Sequence, residues 1–438
     1  MEEMFSLVDL IYYQNPWLKQ SGVFPREKFL PKRDFYYQFK KLVFETKQIS
    51  ALIGVRRVGK TVILKQILAE ILETKTTPPF YFSFDQEIIF KAKKNPLSLI
   101  IDFYLKNILK KPLHQIKQPV YLFFDEIQLI PFWQDILKRY YDLNQNFKFI
   151  VSGSSSLFLK EESKESLAGR IIETILPPLT FLEYQKLTKS NLESPVFDFE
   201  DYLKYGGFFE LIELPFVDKK KEFLSEWILG KVLERDLPLI FKVFDQRIFR
   251  ILFNIFLQTT PQVVFLNKIA VELGLSTTAI SNYLNFLEKS LLLKTVFNFA
   301  GSFVRRERRL RKVYPASPNF ISILPNFSLP AMVETYIFNF FHQVLKKELF
   351  FFKKRSLEVD FIDPVDKILI EVKYQNKIHK EDYKNLLLLM RKNKYNQAFL
   401  LTKDTQEKKI IDGKEIFLLP VYKLESFFNK KSKKLLNL

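Results

Sequence analysis

"IGVRRVGKT", residues 53–61, lies between a short apolar run and a helix-like run. Four of its residues match the pattern G-x-x-x-x-G-K-[ST] without a gap, namely Gly54, Gly59, Lys60 and Thr61. In such a loop the glycines let backbone N–H groups wrap around phosphate, the lysine reaches the outer phosphates and the threonine hydroxyl binds Mg²⁺. The following helix points its positive end at the same anion. The stretch therefore predicts a phosphate-binding loop between a strand and a helix.

Short apolar runs recur around this loop and are separated by amphipathic stretches of helical length. They are "ISALIG", "PFYFSF", "VYLFFD" and "FKFIVSG". Strands that are apolar throughout and alternate with helices are typical of a parallel sheet covered on both faces. We therefore predict an α/β domain whose first strand leads into the phosphate loop.

"VYLFFDEIQ", residues 120–128, places two carboxylates at the end of one of these strands. Asp125 can hold the magnesium shell, and Glu126 can orient and deprotonate an attacking water. An acidic turn after a buried strand is the structural alternative. The order of the two signals within one α/β pattern favours a hydrolytic nucleotide site.

Other residues complete this predicted site. The strand "FIVSGSSS" ends in serines, and either Ser154 or Ser152 would lie beside the γ-phosphate as a polar sensor, unless the run is a simple turn. Arg170 in "LAGR" can neutralise transition-state charge, in its own subunit or in a neighbouring one, or is a surface arginine. The prediction for the nucleotide also includes the loop neighbours Arg57, Val58 and Val62.

The composition of the chain limits the metal sites and the partners that it can have. The chain has no cysteine and three histidines, so any metal site must be built on carboxylates. The N-terminus is acidic, and no stretch approaches the roughly 18 uninterrupted apolar residues of a membrane-spanning helix. We therefore expect a cytoplasmic protein without a membrane partner. The net charge of +19 suits phosphate-rich partners, although a general excess of lysine would produce it equally well.

"LNKIAVELGLSTTAISNYLNFLEKSLLL", residues 266–293, has the spacing of helix, turn and helix around Gly274. Ser276 can cap the second helix, while apolar residues recur at helical spacing. This pattern resembles a winged helix-turn-helix whose second helix presents short polar side chains outward, among them Thr277 and Ser281. Such side chains suit a DNA groove but discriminate weakly between bases.

"VRRERRLRK", residues 304–312, concentrates positive charge where a wing or the following strand would lie. We predict that this basic strip contacts DNA phosphates, chiefly through Arg305, Arg306, Arg308 and Arg309. A solvated basic face or a protein-docking wing is the alternative.

"LEVDFIDPVDKILIEVKYQ", residues 357–375, alternates apolar and charged residues around a proline turn, as a β-hairpin does. A four-residue loop, 364–367, would set Asp360 opposite Glu371. Mg²⁺ can bridge two such carboxylates, and Lys373 on the same face can stabilise phosphodiester charge. Glu334, in the preceding apolar helix, is the predicted additional metal ligand. A solvated amphipathic hairpin is the alternative.

Together the motifs resemble a known group. They are "GVRRVGKT", "LFFDEIQLIPFWQDILK", "SGSSS", "LAGR", "PLTFLEY" and "YGGFFE". They look like those of the bacterial and archaeal AAA-type ATP-binding proteins that join a P-loop ATPase to a C-terminal restriction-endonuclease-like domain. The resemblance covers most of the chain and implies ATP rather than GTP, together with Mg²⁺. The D…E-x-K arrangement of that nuclease class corresponds here to Asp360, Glu371 and Lys373.

The expected architecture is α/β, with a P-loop AAA-type core on a parallel sheet, a helical lid, a winged helix and a C-terminal restriction-endonuclease-like domain. The predicted segments are an N-terminal helical lead-in (1–48), the ATPase core (49–176), the lid (177–245), the winged helix with the basic strip (246–314), a linker (315–330), the nuclease-like domain (331–425) and a basic tail (426–438).

The resulting hypothesis is a Mg²⁺-dependent ATPase that binds DNA and cuts it with the C-terminal carboxylates. The resemblance implies a setting in genome defence or mobile-element biology. The alternative is an ATP-gated switch whose C-terminal domain binds a partner, protein or DNA, without cleaving. Because AAA-type proteins commonly share sites between neighbours, self-assembly of the chain is part of either hypothesis.

Overall fold

The computed structural model of the chain describes residues 6–74, 77–85, 95–154, 167–189, 194–237, 247–299, 310–393 and 395–435. The chain divides into two compact units, residues 1–176 and 177–438. Across the described stretches, none of the helices has both the length and the apolar character needed to span a bilayer.

The first unit is built on a five-stranded sheet in which neighbouring strands run parallel. Its strands are β1 (Ile49–Ile53), β2 (Phe80–Ser83), β3 (Val120–Asp125), β4 (Phe147–Gly153) and β5 (Ile171–Ile175). They lie in the order β2-β3-β4-β1-β5. The predicted parallel sheet is thereby confirmed, and the four apolar runs form β1 to β4.

Helices cover this sheet. They are α1 (Leu7–Gln14), α2 (Asp34–Glu45), α3 (Lys60–Thr74), α4 (Pro96–Phe103) and α5 (Trp133–Leu143). Helix α3 packs against β3 and β4. Helix α5 buries Trp133, Leu137 and Tyr140, whose spacing of four and three residues places them on one stripe facing the core. The packing therefore holds α3 rigidly behind the phosphate loop.

Strand β5 was missed in the sequence. Its residues "IIETI" are half-buried or exposed rather than wholly buried, because β5 is an edge strand. Glu173 and Thr174 interrupt the apolar character that revealed β1 to β4.

The opposite edge of the sheet, β2, is closed by a side chain from the N-terminal lead-in. The amide of Asn15 donates to the carbonyl of Tyr81 and accepts from its N–H, each over 2.7 Å. Asn15 is completely buried. These bonds replace a neighbouring strand, so the lead-in is an integral part of the first unit.

The second unit begins with helices α6 (Phe181–Thr188), α7 (Pro195–Tyr205), α8 (Phe209–Glu213) and α9 (Val217–Glu222), followed by a π-helical stretch, Phe223–Asp236. Gly206 and Gly207 lie between α7 and α8. Gly207 lies against the side chain of Asn319, which accepts a hydrogen bond from its N–H over 2.9 Å. The glycine pair is needed for close packing.

Next come three helices and a small antiparallel sheet. The elements are α10 (Arg247–Thr259), β6 (Val263–Val264), α11 (Leu266–Leu273), α12 (Thr277–Lys289), β7 (Leu293–Phe297) and β8 (Arg311–Pro315). The strands lie in the order β6-β8-β7. The predicted cap is confirmed, since the Ser276 hydroxyl accepts from Ala279 N over 3.1 Å.

The last part of the unit is a six-stranded mixed sheet with flanking helices. Its elements are α13 (Leu329–Asn339), β9 (Phe350–Lys354), β10 (Leu357–Asp363), β11 (Ile368–Lys373), α14 (Lys384–Asn393), β12 (Gln397–Thr402), β13 (Glu407–Ile411), β14 (Lys414–Pro420) and α15 (Leu424–Leu435). The strands lie in the order β13-β14-β12-β11-β10-β9. Asp363 pairs with Ile368, so the predicted hairpin register is confirmed.

Two predicted boundaries differ from the fold. The expected linker, 315–330, contains a buried 3₁₀-helix, Pro318–Ile323, because Asn319 bonds to the backbone of α7 at Tyr202 and Leu203. The expected basic tail, from residue 426, continues α15 to Leu435. Both segments are therefore parts of the packed second unit rather than connections between domains.

Candidate functional site

The phosphate loop joins the end of β1 to the start of α3, as predicted. Its backbone has positive φ at Arg57 (64°) and at Gly59 (94°). At the second position only glycine adopts the required conformation without strain. Lys60, Thr61 and Val62 form the first turn of α3, so the helix begins directly after the loop. This geometry directs backbone N–H groups and the helix N-terminus toward one point.

Lys60 is held across the loop. Its ammonium group donates to the carbonyl oxygens of Gly54 and Val55, over 3.0 and 3.2 Å, and the residue is buried. The loop is anchored from outside by Arg33, whose guanidinium donates to the Val58 carbonyl over 3.0 Å. Sequence reasoning missed Arg33, because an arginine before a helix carries no motif that links it to a loop 25 residues away.

Asp125, at the end of β3, collects four hydrogen-bond donors. They are the hydroxyl of Thr61 (2.6 Å), the hydroxyl of Tyr81 (2.9 Å), the backbone N–H of Glu126 (3.2 Å) and the hydroxyl of Ser152. Burial, with the charge of Asp125 next, raises the pKa of Tyr81, so its hydroxyl stays protonated and donates. The structure thus brings the predicted Thr61 and Asp125 together with Ser152, one of the two candidate sensors, and adds Tyr81, which was not predicted.

Glu126 sits in the left-handed region, with φ 53°. A non-glycine residue there stores of order 1–3 kcal/mol of backbone strain, which is typical of functional positions. Its Oε2 atom accepts a hydrogen bond from the Gln128 amide over 2.5 Å, and the same amide nitrogen lies 3.3 Å from the Ser154 hydroxyl. Gln128 therefore connects the predicted base with the predicted sensor, a role that the sequence did not reveal.

Arg170 does not join this site within its own subunit. It lies just before β5, where its carbonyl accepts from Ile49 N over 2.7 Å at the beginning of β1. The phosphate loop follows the other end of β1. The guanidinium binds the Asp142 carboxylate through two hydrogen bonds of 2.8 and 3.2 Å. The geometry gives no support for its action in its own subunit, and action in a neighbouring one stays a prediction.

The donor set at the loop fits Mg²⁺. This ion keeps several waters and is usually held by one or two protein oxygens together with nucleotide phosphates. The hydroxyl of Thr61 and the carboxylate of Asp125 lie within hydrogen-bond distance of each other beside the helix N-terminus. These two residues would hold the ion.

The C-terminal carboxylates form a second cluster in the second unit. The side chain of Asp360 accepts from Val372 N over 2.9 Å, while the side chain of Glu371 lies 3.4 Å from Asp360 N. The side chains of Asp360 and Glu371 therefore each reach the backbone of the opposite strand of the hairpin. This agrees with the prediction that the two residues lie opposite each other. The Lys373 ammonium nitrogen lies 2.7 Å from the side-chain carboxyl group of Glu371.

Lys312 enters this cluster from β8. Its side chain is only 3% exposed, and its ammonium nitrogen faces three carboxylates, at 3.5 Å from Glu334, 3.2 Å from Glu358 and 3.8 Å from Asp360. The sequence assigned Lys312 to the basic strip that contacts phosphate. That interpretation was wrong for this residue, because a buried ammonium paired with carboxylates cannot present its charge to DNA.

The pKa values of the side chains in this cluster reflect their crowding. Burial, followed by the charge of Asp360, raises the pKa of Glu334 and of Glu371, each to about 8. Burial opposes the charged form of Lys312, but the carboxylates of Glu334, Asp360 and Glu358 outweigh it and raise the pKa of this lysine. The cluster is therefore a buried network in which the lysine remains cationic.

The predicted metal ligands of this cluster do not fit a metal ion as they are arranged. Within the described part of the chain, no three histidine, aspartate or glutamate side chains converge as a metal site would require. Glu334 and Asp360 face the Lys312 ammonium, and Glu371 faces Lys373. No metal-dependent step follows from this geometry.

The predicted DNA contacts are only partly described. Thr277 and Ser281 are exposed on α12, while Ile280 and Leu284 of the same helix are buried. Arg305, Arg306, Arg308 and Arg309 lie outside the described residues. The outward polar face of α12 therefore agrees with the expectation from helical spacing.

Comparison with known proteins places these features in context. Residues 46–185 match the AAA domain family, and residues 196–318 match a domain family of unknown function. The chain is 28% identical over 408 residues to an uncharacterized protein of Methanocaldococcus jannaschii, covering 86% of this chain and 88% of that one. It is 25% identical over 277 residues to an uncharacterized protein of Haemophilus influenzae, covering 60% and 66% respectively.

A solved structure with partial similarity is the Walker-type ATPase of Pyrococcus abyssi, at 16% identity and a TM-score of 0.41, covering 70% of this chain and 99% of that one. The family match, which includes the phosphate loop and both carboxylates of "DE", agrees with the geometry at Lys60, Thr61 and Asp125. The family match and this geometry support an AAA-type, ATPase-like P-loop domain over residues 46–185.

Proposed function

We propose that the first unit binds ATP with Mg²⁺ and hydrolyses it. The observation that carries this proposal is the contact between Thr61, in the first turn of α3, and Asp125, at the end of β3. It joins the phosphate loop to the acidic strand end in the order that phosphoryl transfer requires. When bound, Mg²⁺ neutralises charge on the nucleotide phosphates.

Each side chain of the site has a separate role in the hydrolysis. Lys60, now bound to loop carbonyls, exchanges these acceptors for the outer phosphates. Glu126 orients the attacking water and accepts its proton, while Gln128 fixes the direction of that carboxylate through its 2.5 Å hydrogen bond. Ser154, 3.3 Å from Gln128, lies where it can report the γ-phosphate to the same network.

The test is ATP turnover by the purified chain with and without Mg²⁺. We expect turnover that requires the metal and falls at least tenfold in Lys60→Ala. Lys41→Ala is the matched control, because Lys41 is an exposed lysine of the same unit that pairs with Glu45 on its own helix. Absence of turnover in the wild type, or full activity of Lys60→Ala, would sink the proposal.

For the second unit we propose that α10 to α12 and β6 to β8 form a winged helix that docks DNA. The support is the order of helices and antiparallel strands, together with the exposed Thr277 and Ser281 on α12. Arg305, Arg306, Arg308 and Arg309 of the basic strip supply the phosphate contacts. Replacing Arg305, Arg306, Arg308 and Arg309 with glutamine should weaken duplex binding and flatten its salt dependence, by about one unit of slope for each arginine that had paired with a phosphate.

The control for that experiment removes a similar charge elsewhere in the same unit. Lys219, Lys220 and Lys221 lie together on α9. Their replacement with glutamine should leave the salt dependence nearly unchanged if location matters. Equal effects of both variants would assign DNA affinity to the general lysine excess, and no effect of either would end the docking proposal.

We propose that the C-terminal sheet binds a partner without cutting DNA, in preference to a nuclease function. The observation that favours it is the ammonium of Lys312 among the carboxylates that a nuclease needs for its metal. We expect no Mg²⁺-dependent cutting of DNA by the wild type. Cutting that disappears in both Asp360→Ala and Lys373→Ala would establish the nuclease instead.

Self-assembly is also proposed, with Arg170 acting on a neighbouring subunit. Its test is the oligomeric state with and without ATP, and the turnover of mixtures of Arg170→Ala with Lys60→Ala. Activity restored in the mixture supports shared sites, whereas additive inactivity removes that role from Arg170.

A further inference from the structure

Lys312 occupies an unusual position for a residue of a basic stretch. It lies on β8, paired with Val263 of β6 and Val296 of β7, and its side chain leaves the small sheet toward α13 and β10. The ring of Phe351 on β9 lies 5.3 Å from its ammonium nitrogen. The side chain is thus enclosed by apolar and acidic groups rather than by water.

Each carboxylate around Lys312 uses a second interaction to stay in place. Tyr314 donates to Glu334 over 2.6 Å, Lys353 lies 2.6 Å from Glu358, and Val372 N donates to Asp360 over 2.9 Å. These partners come from different strands. They hold the three carboxylates around the Lys312 ammonium, and with that ammonium in place these side chains are not arranged to hold a metal ion.

A divalent metal and this ammonium cannot share the cluster. Mg²⁺ binds oxygen ligands at about 2.0–2.1 Å in near-octahedral order, whereas the ammonium nitrogen already lies 3.2–3.8 Å from one oxygen of each carboxylate. Like charges at such short range repel strongly in a buried site. Entry of the metal therefore requires that Lys312 leave, and β8 holds its backbone on both sides.

We propose that Lys312 is a tethered counter-cation, whose ammonium group fills the place among Glu334, Glu358 and Asp360 that a divalent metal ion would need. In the native chain this cluster binds no divalent metal, and removal of the ammonium opens a metal site. The proposal concerns the second unit alone and does not depend on ATP hydrolysis in the first.

The experiment is Mn²⁺ titration without nucleotide, followed by electron paramagnetic resonance, on metal-free protein. The variants are Lys312→Met, which keeps the length of the side chain without its charge, and Lys312→Met combined with Asp360→Asn. Lys294→Met is the matched control, because Lys294 is an exposed lysine of the same small sheet. We expect one additional Mn²⁺ per chain in Lys312→Met, its loss in the double variant and no gain in Lys294→Met.

A second comparison keeps the proposal testable if Lys312→Met folds poorly. Asp360→Asn should leave the Mn²⁺ isotherm of the otherwise native chain unchanged, because the cluster is closed to metal. Mn²⁺ binding by the wild type that Asp360→Asn abolishes would overturn the proposal. So would a folded Lys312→Met that gains no site. Mn²⁺ should also raise the melting temperature of Lys312→Met and not that of the wild type.

Discussion

The hydroxyl of Thr61 donates to the Oδ2 atom of Asp125 over 2.6 Å, although the two residues are 64 positions apart. Thr61 belongs to α3, the helix that begins at the phosphate loop. Asp125 ends β3, which lies two strands away from β1 in the sheet. This contact closes a ring of loop, helix and strand around the expected place of Mg²⁺. It also explains why neither motif alone describes the site.

Thr61→Ala should weaken Mg²⁺ binding to the nucleotide complex more than it weakens metal-free nucleotide binding. The hydroxyl supplies a ligand to the ion, and loss of one ligand is expected to cost about tenfold in affinity, or about 1.4 kcal/mol. Titration of Mg²⁺ against a fluorescent ATP analogue measures this. Thr74→Ala is the control, since Thr74 ends the same helix and its hydroxyl donates to the Glu70 carbonyl. Equal losses with and without Mg²⁺ would contradict the assignment.

Gln128→Leu should lower kcat about tenfold with little change in nucleotide affinity. The substitution keeps the volume of the side chain but removes the donor that fixes Glu126, so the base loses orientation only in the reaction step. Steady-state turnover and nucleotide binding, measured on the same preparation, separate the two effects. Gln115→Leu, at an exposed position of the same unit, should change neither. Unchanged or faster turnover in Gln128→Leu would remove Gln128 from the mechanism.

The central sheet and the phosphate loop could be predicted because their signals are local. Four strands are predominantly apolar, and the loop has a fixed spacing around Lys60. The hairpin register at Asp363 and Ile368 was also predictable, since proline and alternation determine it. The Asp-Gly turn at 412–413, with φ 51° and 69°, carried a comparable signal for β13 and β14 that was overlooked.

Contacts between distant segments could not be predicted in this way. Nothing near Lys312 in the sequence indicates that its ammonium meets Glu334 and Glu358, because arginines precede it and the carboxylates lie 22 and 46 residues later. Arg33 and Gln128 act through single hydrogen bonds that no periodicity encodes. Long-range polar contacts are therefore where the structure added most to the site.

Gly207→Ala should destabilise the second unit by about 1–3 kcal/mol, the usual cost of forcing an extra methyl group into a packed core. A Cβ there would overlap the Oδ1 atom of Asn319, which also accepts the Gly207 N–H. Denaturant unfolding measures the loss. Gly230→Ala is the control, because its Cβ would lie 3.0 Å from the flexible end of Arg250 and 3.2 Å from the Ser225 carbonyl oxygen, whereas the Cβ at position 207 would lie 2.1 Å from Asn319 Oδ1. If both variants unfold alike, Asn319 adapts and the close approach is not required.

Glu371→Gln should flatten the pH dependence of the second unit's stability. Burial and the charge of Asp360 raise the folded pKa of Glu371 to about 8, from 4.5. The folded state therefore retains a proton that the unfolded state releases, so this contribution is complete below about pH 4.5 and is lost as the pH rises through about 8. Each pH unit within that window changes the free energy of unfolding by about 1.4 kcal/mol.

The pKa of Glu334 is raised in the same direction, so Glu371→Gln should remove only part of the dependence of stability on pH. The variant should become more stable relative to the wild type as the pH increases. Denaturant unfolding at pH 5, 6.5 and 8, chosen to span roughly the titration window, gives the comparison. Glu407→Gln, at an exposed position on β13, should follow the wild type throughout. A wild-type stability that rises between these pH values, or a Glu371→Gln variant that keeps the wild-type slope, would show that Glu371 is ionised in the folded chain.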